Sequence, residues 1–368
     1  MIKAPRLERD RATASVMRRQ LLHWYERNRR DMPWRQSRDP YAIWVSEIML
    51  QQTRVAAVME HYRDFMERFP TLLALALAPE EEVMAVWSGL GYYRRAHMLH
   101  KAARFVADEL KGNLPSTAEG LRKLPGIGAY TAAAIASIAF GEPVAVVDGN
   151  VERVLCRLAG WDAAPRAGGG DLRRQMDAFA AQLVDPNRPG DSNQAIMELG
   201  ATVCLPRNPQ CLVCPLAGLC KTRGEHKTRQ RPKMLSREVG YALSVRIGQQ
   251  PGAHSREVLL EQRPAANTVM PGLWELPLLQ DPAVPQAELR LTVRHAIMQV
   301  NYYVRIRTVF EDDVPSLAVH GGERRWAPLT EAARMPLTGL ARKVLNRAHL
   351  LPRAPIDTIA PQPEEEPA

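Results

Sequence analysis

The sequence predicts a chain of two domains, a mainly helical one carrying a four-cysteine loop and then an α+β one. Three observations carry that expectation. Capped stretches with helical periodicity run from Ala12 to about Arg223, four of the five cysteines fall between Cys204 and Cys220, and after Val239 the texture turns β-rich. A length of 368 residues accommodates two or three domains, each with its own core. Apolar residues at 46% and charged residues at 24% exclude wholesale disorder. The longest apolar run, Leu72 to Ala78, is far below the roughly 20 residues of a membrane-spanning helix. The first twenty residues hold no apolar core of a signal peptide, so a cytoplasmic protein is expected. A net charge of +9 favours an anionic partner, nucleic acid first among them.

In the first domain, Asp39-Pro40 reads as a helix start, with Asp as N-cap and Pro at the first helical position. Tyr41, Trp44, Val45 and Ile48 follow at helical spacing. Ser116 and Glu119 form a capping box, and Ala129 to Phe140 is an alanine-rich helix closed by Gly141. Residues 224–238 are polar, strongly basic and aperiodic, as a linker would be. Beyond them, Tyr241–Ile247, Val258–Gln262, Leu289–Val293 and Tyr302–Phe310 read as strands, and Ala341–Leu350 as a helix. The tail from 351, rich in Pro and Glu, reads as disordered. The expected domains are therefore 1–223, a linker at 224–238, 239–350 and the tail at 351–368.

Four patterns carry chemistry. The segment Leu124-Pro-Gly-Ile-Gly128 joins two helices, and Gly126 and Gly128 let bare N–H groups approach a phosphate at a helix N-terminus. The other reading is a plain glycine-capped turn. In Val147-Asp148-Gly149-Asn150, Asp148 lies just before a helix that Asn150 can cap, or else belongs to an ordinary Asp-Gly turn. Glu47 has Ile43, Trp44 and Leu50 among its helical neighbours, a setting that desolvates a carboxyl and raises its pKa toward a general acid's. A surface glutamate skirting the apolar stripe would have the same spacing. Cys204, Cys211, Cys214 and Cys220, spaced C-x6-C-x2-C-x5-C, suit either an iron–sulfur cluster or zinc, while Cys156 falls on an apolar stripe as core.

Taken together, the hairpin, Val147-Asp148-Gly149 and the cysteine spacing resemble the endonuclease III superfamily of DNA glycosylases. Pro33-Trp34-Arg35, Ser46-Glu-Ile-Met-Leu-Gln-Gln-Thr53 and Gly89-Leu-Gly-Tyr-Tyr93 are similar to its adenine-removing (MutY) branch. The resemblance implies one 4Fe–4S cluster on the four cysteines and double-stranded DNA with A·8-oxoguanine or A·G mispairs as partner. It implies that Glu47 protonates adenine at N7 and Asp148 stabilises the sugar cation, with Tyr130 and Asn150 in the same pocket. Gln194 would face the flipped adenine. Trp34, Arg35, Leu50, Gln51, Gln52, Thr53 and Tyr92 would contact substrate or DNA, Gln52 and Tyr92 as wedges. Strand-cutting members carry lysine where Tyr130 stands, so a monofunctional enzyme is implied.

The second domain resembles a Nudix-like domain around Gly272-Leu-Trp-Glu-Leu-Pro277, without the carboxylates of the hydrolase box. Binding of 8-oxoguanine is then its implied task. Where the family reads Phe-Ser-His after Arg294-His295, this chain reads Ala296-Ile-Met-Gln299, so Gln299 becomes the candidate reader. A monomer associated with the nucleoid through DNA is expected. Two other readings are a thymine glycosylase for T·G mismatches and a non-catalytic iron–sulfur DNA-binding protein.

Overall fold

In the computed structural model, residues 11–161, 170–225, 234–248, 255–267, 269–297, 299–319 and 322–351 are described. They fall into two compact units, one drawn from 1–80 and 94–231, the other from 81–93 and 232–368. No helix among the described residues is long and apolar enough to cross a membrane.

The chain runs through α1 (Arg11–Asn28), α2 (Pro40–Leu50), α3 (Val55–Arg68), α4 (Leu72–Leu77), α5 (Glu80–Trp87), α6 (Arg94–Glu109), α7 (Ala118–Leu121), α8 (Ala129–Ala139), α9 (Gly149–Ala159), α10 (Asp171–Leu183) and α11 (Pro189–Thr202). All of these but most of α5 belong to the first unit. Its core includes Met17, Leu21 and Tyr25 of α1, the apolar stripe of α9 with Cys156, Met176 and Phe179 of α10, and Ile196 and Leu199 of α11. Helix α2, apolar on nearly every side, is buried along nearly its whole length; Asp39 caps it, accepting from the Tyr41 N–H at 3.0 Å, and Pro40 fixes its first turn.

Two caps differ from expectation by a residue or two. Thr117, not Ser116, starts α7, its hydroxyl accepting from the Gly120 N–H at 3.2 Å. Adjacent hydroxyls offer equivalent caps to sequence, and the loop geometry selects one. Likewise Asp148 itself caps α9, and Asn150 lies in the first turn.

The second unit holds β1 (Leu235–Leu243), β2 (Val245–Ile247), β3 (Arg256–Gln262), β4 (Trp274–Glu275), β5 (Leu289–Ile297), β6 (Val300–Thr308), β7 (Arg324–Pro328), α12 (Leu329–Ala332) and α13 (Gly339–Arg347). One sheet has the order β1-β6-β5, with β1 parallel and β5 antiparallel to β6. The other joins β2, β3 and β4, with β7 also on β3. Val258, Leu260, Val293, Val304 and Ile306 face Leu340, Val344 and Leu345 of α13 across its core.

Strand β1 begins at Leu235, inside the stretch read as linker, because pairing with β6 satisfies its backbone there. The run read as one strand from Tyr241 to Ile247 breaks at Ser244 into β1 and β2, which enter different sheets. Residues 81–93, expected in the helical domain, group instead with the second unit. The basic stretch at 226–233 and the tail from 352 lie outside the described residues.

Candidate active site and iron–sulfur loop

Glu47 lies in the last turns of α2 and is only 5% exposed. Its Oε2 accepts a 2.7 Å hydrogen bond from the Tyr130 hydroxyl, which α8 delivers from its first turn. Burial pushes the Glu47 carboxyl up to about 7. The Tyr130 bond and the Arg35 charge pull the other way, and the nearby Asp148 carboxylate adds to the rise. Burial likewise holds Tyr130 well above the usual phenol range, so its hydroxyl stays a donor.

Asp148 is fixed differently. Its Oδ1 accepts the Val151 N–H of α9 at 2.7 Å and its Oδ2 accepts from the Asn150 amide at 3.3 Å. Capping places a carboxylate at the positive end of the α9 dipole, half-exposed and aimed by backbone rather than by a long side chain. Asn150 is in turn gripped through its Oδ1 by Arg153, at 2.9 Å. Arg153 also donates to the carbonyls of Gly200 and Cys204.

A second buried carboxylate completes this region. Glu198 of α11 is 1% exposed and takes Nε and Nη2 of Arg30 at 2.7 and 2.9 Å. Arg35 adds a third bond at 2.8 Å. Burial alone would raise this carboxyl, but the bonds from Arg30 and Arg35 win and hold it at about 2. Arg35 thus acts on both glutamates.

Around these groups, Gln51 donates to the Thr131 hydroxyl at 3.2 Å, and Gln52 is exposed with φ 58°. Arg95 donates to the carbonyls of Ile48, Met49 and Gln51 and to the Thr53 hydroxyl, closing the C-terminus of α2. Leu50 is half-buried. Trp34 packs edge-on against Tyr62 and is buried in the core, so within Pro33–Arg35 it is Arg35 that meets the glutamates. Gln194 is half-buried one turn before Glu198 on α11. In the hairpin, Gly126 has φ +74°, and a Cβ there would lie 2.7 Å from that of Met98. A Cβ at Gly128 would meet nothing, leaving the α8 N-terminus open to an approaching anion. Tyr92 and Gln299 lie in the second unit, Gln299 exposed in the β5–β6 turn with its carbonyl bonded to the Leu235 N–H.

The four cysteines of the loop line one cavity with Arg157, Leu158, Leu199 and Val203. Arg157 donates to Cys204 Sγ at 3.3 Å and to the carbonyls of Leu205 and Pro206, while Cys220 Sγ meets the Arg157 carbonyl. Four soft sulfur donors ringing an apolar cavity, with a guanidinium at one of them, fit an iron–sulfur cluster. Cys156 is buried in the core and outside the set.

Sequence reasoning missed Glu198, Arg30, Arg95, Arg153 and Arg157. None of them offered a signal in the sequence: Arg157, although 3% exposed, falls off the apolar stripe of its helix.

Residues 45–170 match the model of the HhH-GPD superfamily of base excision DNA repair proteins. Residues 204–220 match the iron–sulfur binding domain of endonuclease III. The chain is 42% identical over 323 residues to the human adenine DNA glycosylase, covering 74% of this chain and 59% of that protein. It is 52% identical over 221 residues to the rat one, covering 58% of this chain and 42% of that protein. A solved thermostable thymine-DNA glycosylase is 30% identical with a TM-score of 0.51, covering 58% of this chain and 97% of its own. The chain belongs to the HhH-GPD superfamily of base excision DNA repair proteins, in its endonuclease III branch. Its loop from Cys204 to Cys220 is the site of a 4Fe–4S cluster. The chain spans about three fifths or less of the length of these curated adenine glycosylase relatives.

Proposed function

We propose that this chain is a monofunctional DNA glycosylase that removes adenine mispaired with 8-oxoguanine or guanine in double-stranded DNA. The observation that carries the reading is the pairing of a buried carboxyl held at about 7 with a carboxylate locked on a helix cap. One is poised to give a proton and the other to face a cation, the division of labour glycosidic cleavage requires. The adenine glycosylase relatives support adenine as the base.

The target nucleotide leaves the stack at a cost of a few kcal/mol and enters the site. With Glu47 Oε2 accepting from Tyr130, the carboxylic proton resides on the other oxygen and passes to adenine N7. The C1′–N9 bond then breaks with its electron pair leaving on a neutral base. Positive charge developing on the sugar is met by Asp148, whose geometry the Val151 N–H and Asn150 hold before the reaction begins. Glu47, now a carboxylate, takes a proton from the attacking water. Tyr130 offers no amine, so no Schiff base forms and the strand stays intact. When bound, the cluster cross-links residues 204–220 on four thiolates; Arg153 and Arg157 connect that loop to α9.

Gly126 and Gly128 present the hairpin backbone to a phosphate, and Gln52 fills the gap the base leaves. The second unit acts as a Nudix-like reader of the opposite base, with Gln299 accepting the N7 proton that distinguishes 8-oxoguanine from guanine. Single-turnover assays on A·8-oxoguanine, A·G and T·G duplexes test the reading. Adenine release from the first two with unbroken strands is expected. Release of thymine alone would favour the activity named for the thymine-DNA glycosylase neighbour, and no release would leave a binding protein.

A further inference from the structure

Residues 81–93 belong to the second unit although α4 and α6 on either side belong to the first. Within that unit the segment is fastened by a small buried polar cluster. Ser88, 5% exposed, donates its hydroxyl to the Leu337 carbonyl at 2.9 Å and accepts from Arg342 Nε at 2.8 Å. Tyr93, also buried, donates to the same carbonyl at 2.6 Å. Arg342 donates further to the carbonyls of Ala333 and Met335.

This arginine is unusual: the hydrogen bonds it makes go to neutral oxygens, and desolvation lowers its pKa. A half-buried cation whose hydrogen bonds go to neutral oxygens costs desolvation that a leucine would not, so its place on α13 points to a task other than stability. What it holds is a turn of uncommon backbone. Gly89 and Gly91 have φ of 112° and 71°, and Tyr92, a residue with a Cβ, has φ 50°. Trp87 Nε1 donates to the Gly91 carbonyl, pinning the turn from its other side. At its apex Tyr92 is 49% exposed, while Leu90 and Tyr93 beside it are buried. An aromatic residue half-exposed on a fixed turn suits stacking on a base. The chain passes directly from Tyr93 into α6, whose Arg95 closes the C-terminus of the Glu47 helix.

We infer that Arg342, acting through Ser88 and Tyr93, is a positioning residue that sets the Tyr92 ring for insertion into the duplex. Insertion on the glycosylase strand segment thereby depends on the second unit, the one that reads the opposite base. This rests on the base-removing reading above.

The test uses the full chain and a duplex carrying 2-aminopurine beside the mispair, whose fluorescence rises when its stacking is broken. Arg342→Ala and the milder Ser88→Ala should each reduce the binding-induced rise about fivefold, the worth of one buried hydrogen bond. Tyr92→Ala should reduce it as much, and adding Arg342→Ala to Tyr92→Ala should change nothing further. Arg342→Lys, which keeps one donor, should restore part of the signal. Ser88→Ala carries the comparison if Arg342→Ala fails to fold. Unchanged fluorescence in the folded variants, or full multiplication of the losses in the double variant, would overturn the inference. A wild type that unstacks no base would instead sink the base-removing reading itself.

Discussion

Two glutamates of the first unit, Glu47 on α2 and Glu198 on α11, are buried to almost the same degree, at 5% and 1% exposure. Their carboxyls nevertheless sit at about 7 and about 2. Desolvation acts on both in the same direction, so the difference comes from what each oxygen meets. Glu198 takes three charged hydrogen bonds from Arg30 and Arg35, and Glu47 takes one neutral bond from Tyr130. Arg35 sits between the two, its bond to Glu198 committing the guanidinium there and leaving Glu47 only its field. Burial makes a carboxyl an acid only where cations are kept off it.

The comparison breaks most sharply by substitution. Glu47→Gln should slow adenine release by about a thousandfold, since an amide cannot deliver the proton. At acidic pH its thermal midpoint should stay near wild type, because there the buried group is already neutral. Glu198→Gln should do the reverse in stability, costing about 3 kcal/mol in urea unfolding by leaving two arginines over a neutral amide. A Glu198→Gln variant as stable as wild type would show that the clamp is not what holds Arg35.

Opposite pH dependence of stability follows from the same pair. The Glu198 carboxyl is depressed below its ordinary 4.5, so its contribution is present above that value and fades as pH falls toward 2. That of Glu47 is raised, so its contribution is full below 4.5 and lost as pH climbs through about 7. Urea midpoints from pH 3 to 9 should accordingly show Glu198→Gln flattening the acid side and Glu47→Gln flattening the neutral-to-alkaline side. The smallest effect is expected for Tyr130→Phe. Its lost hydrogen bond had favoured the ionised form, so the Glu47 carboxyl should rise further, by less than about one unit, moving the alkaline limb of the rate profile upward.

Local patterns carried much of this into the sequence. The helix start beside Asp148 is legible because capping is local, although the sequence points to Asn150 as the cap, and the apolar setting of Glu47 is legible from helical spacing. The roles of both come only from the family resemblance. The cysteine loop is legible as a metal site from spacing, but the choice of an iron–sulfur cluster over zinc comes from the family resemblance. Glu198 is not, because its partners lie 168 and 163 positions away in sequence and only packing of α11 beside the α1–α2 connection unites them. Arg153 and Arg157 read as ordinary helix charges, since the carbonyls they satisfy belong to a loop about fifty residues further on. Residues 81–93 look helical and therefore domain-internal, but helicity says nothing about which core a helix joins.

The most direct measurement is the single-turnover rate of adenine release from an A·8-oxoguanine duplex between pH 5 and 9, for wild type and Glu47→Gln. A protonated Glu47 as acid predicts a wild-type rate that falls about tenfold per unit above pH 7 and a variant rate that is slow and flat. A wild-type rate level to pH 9, or a variant within tenfold of wild type, would contradict it.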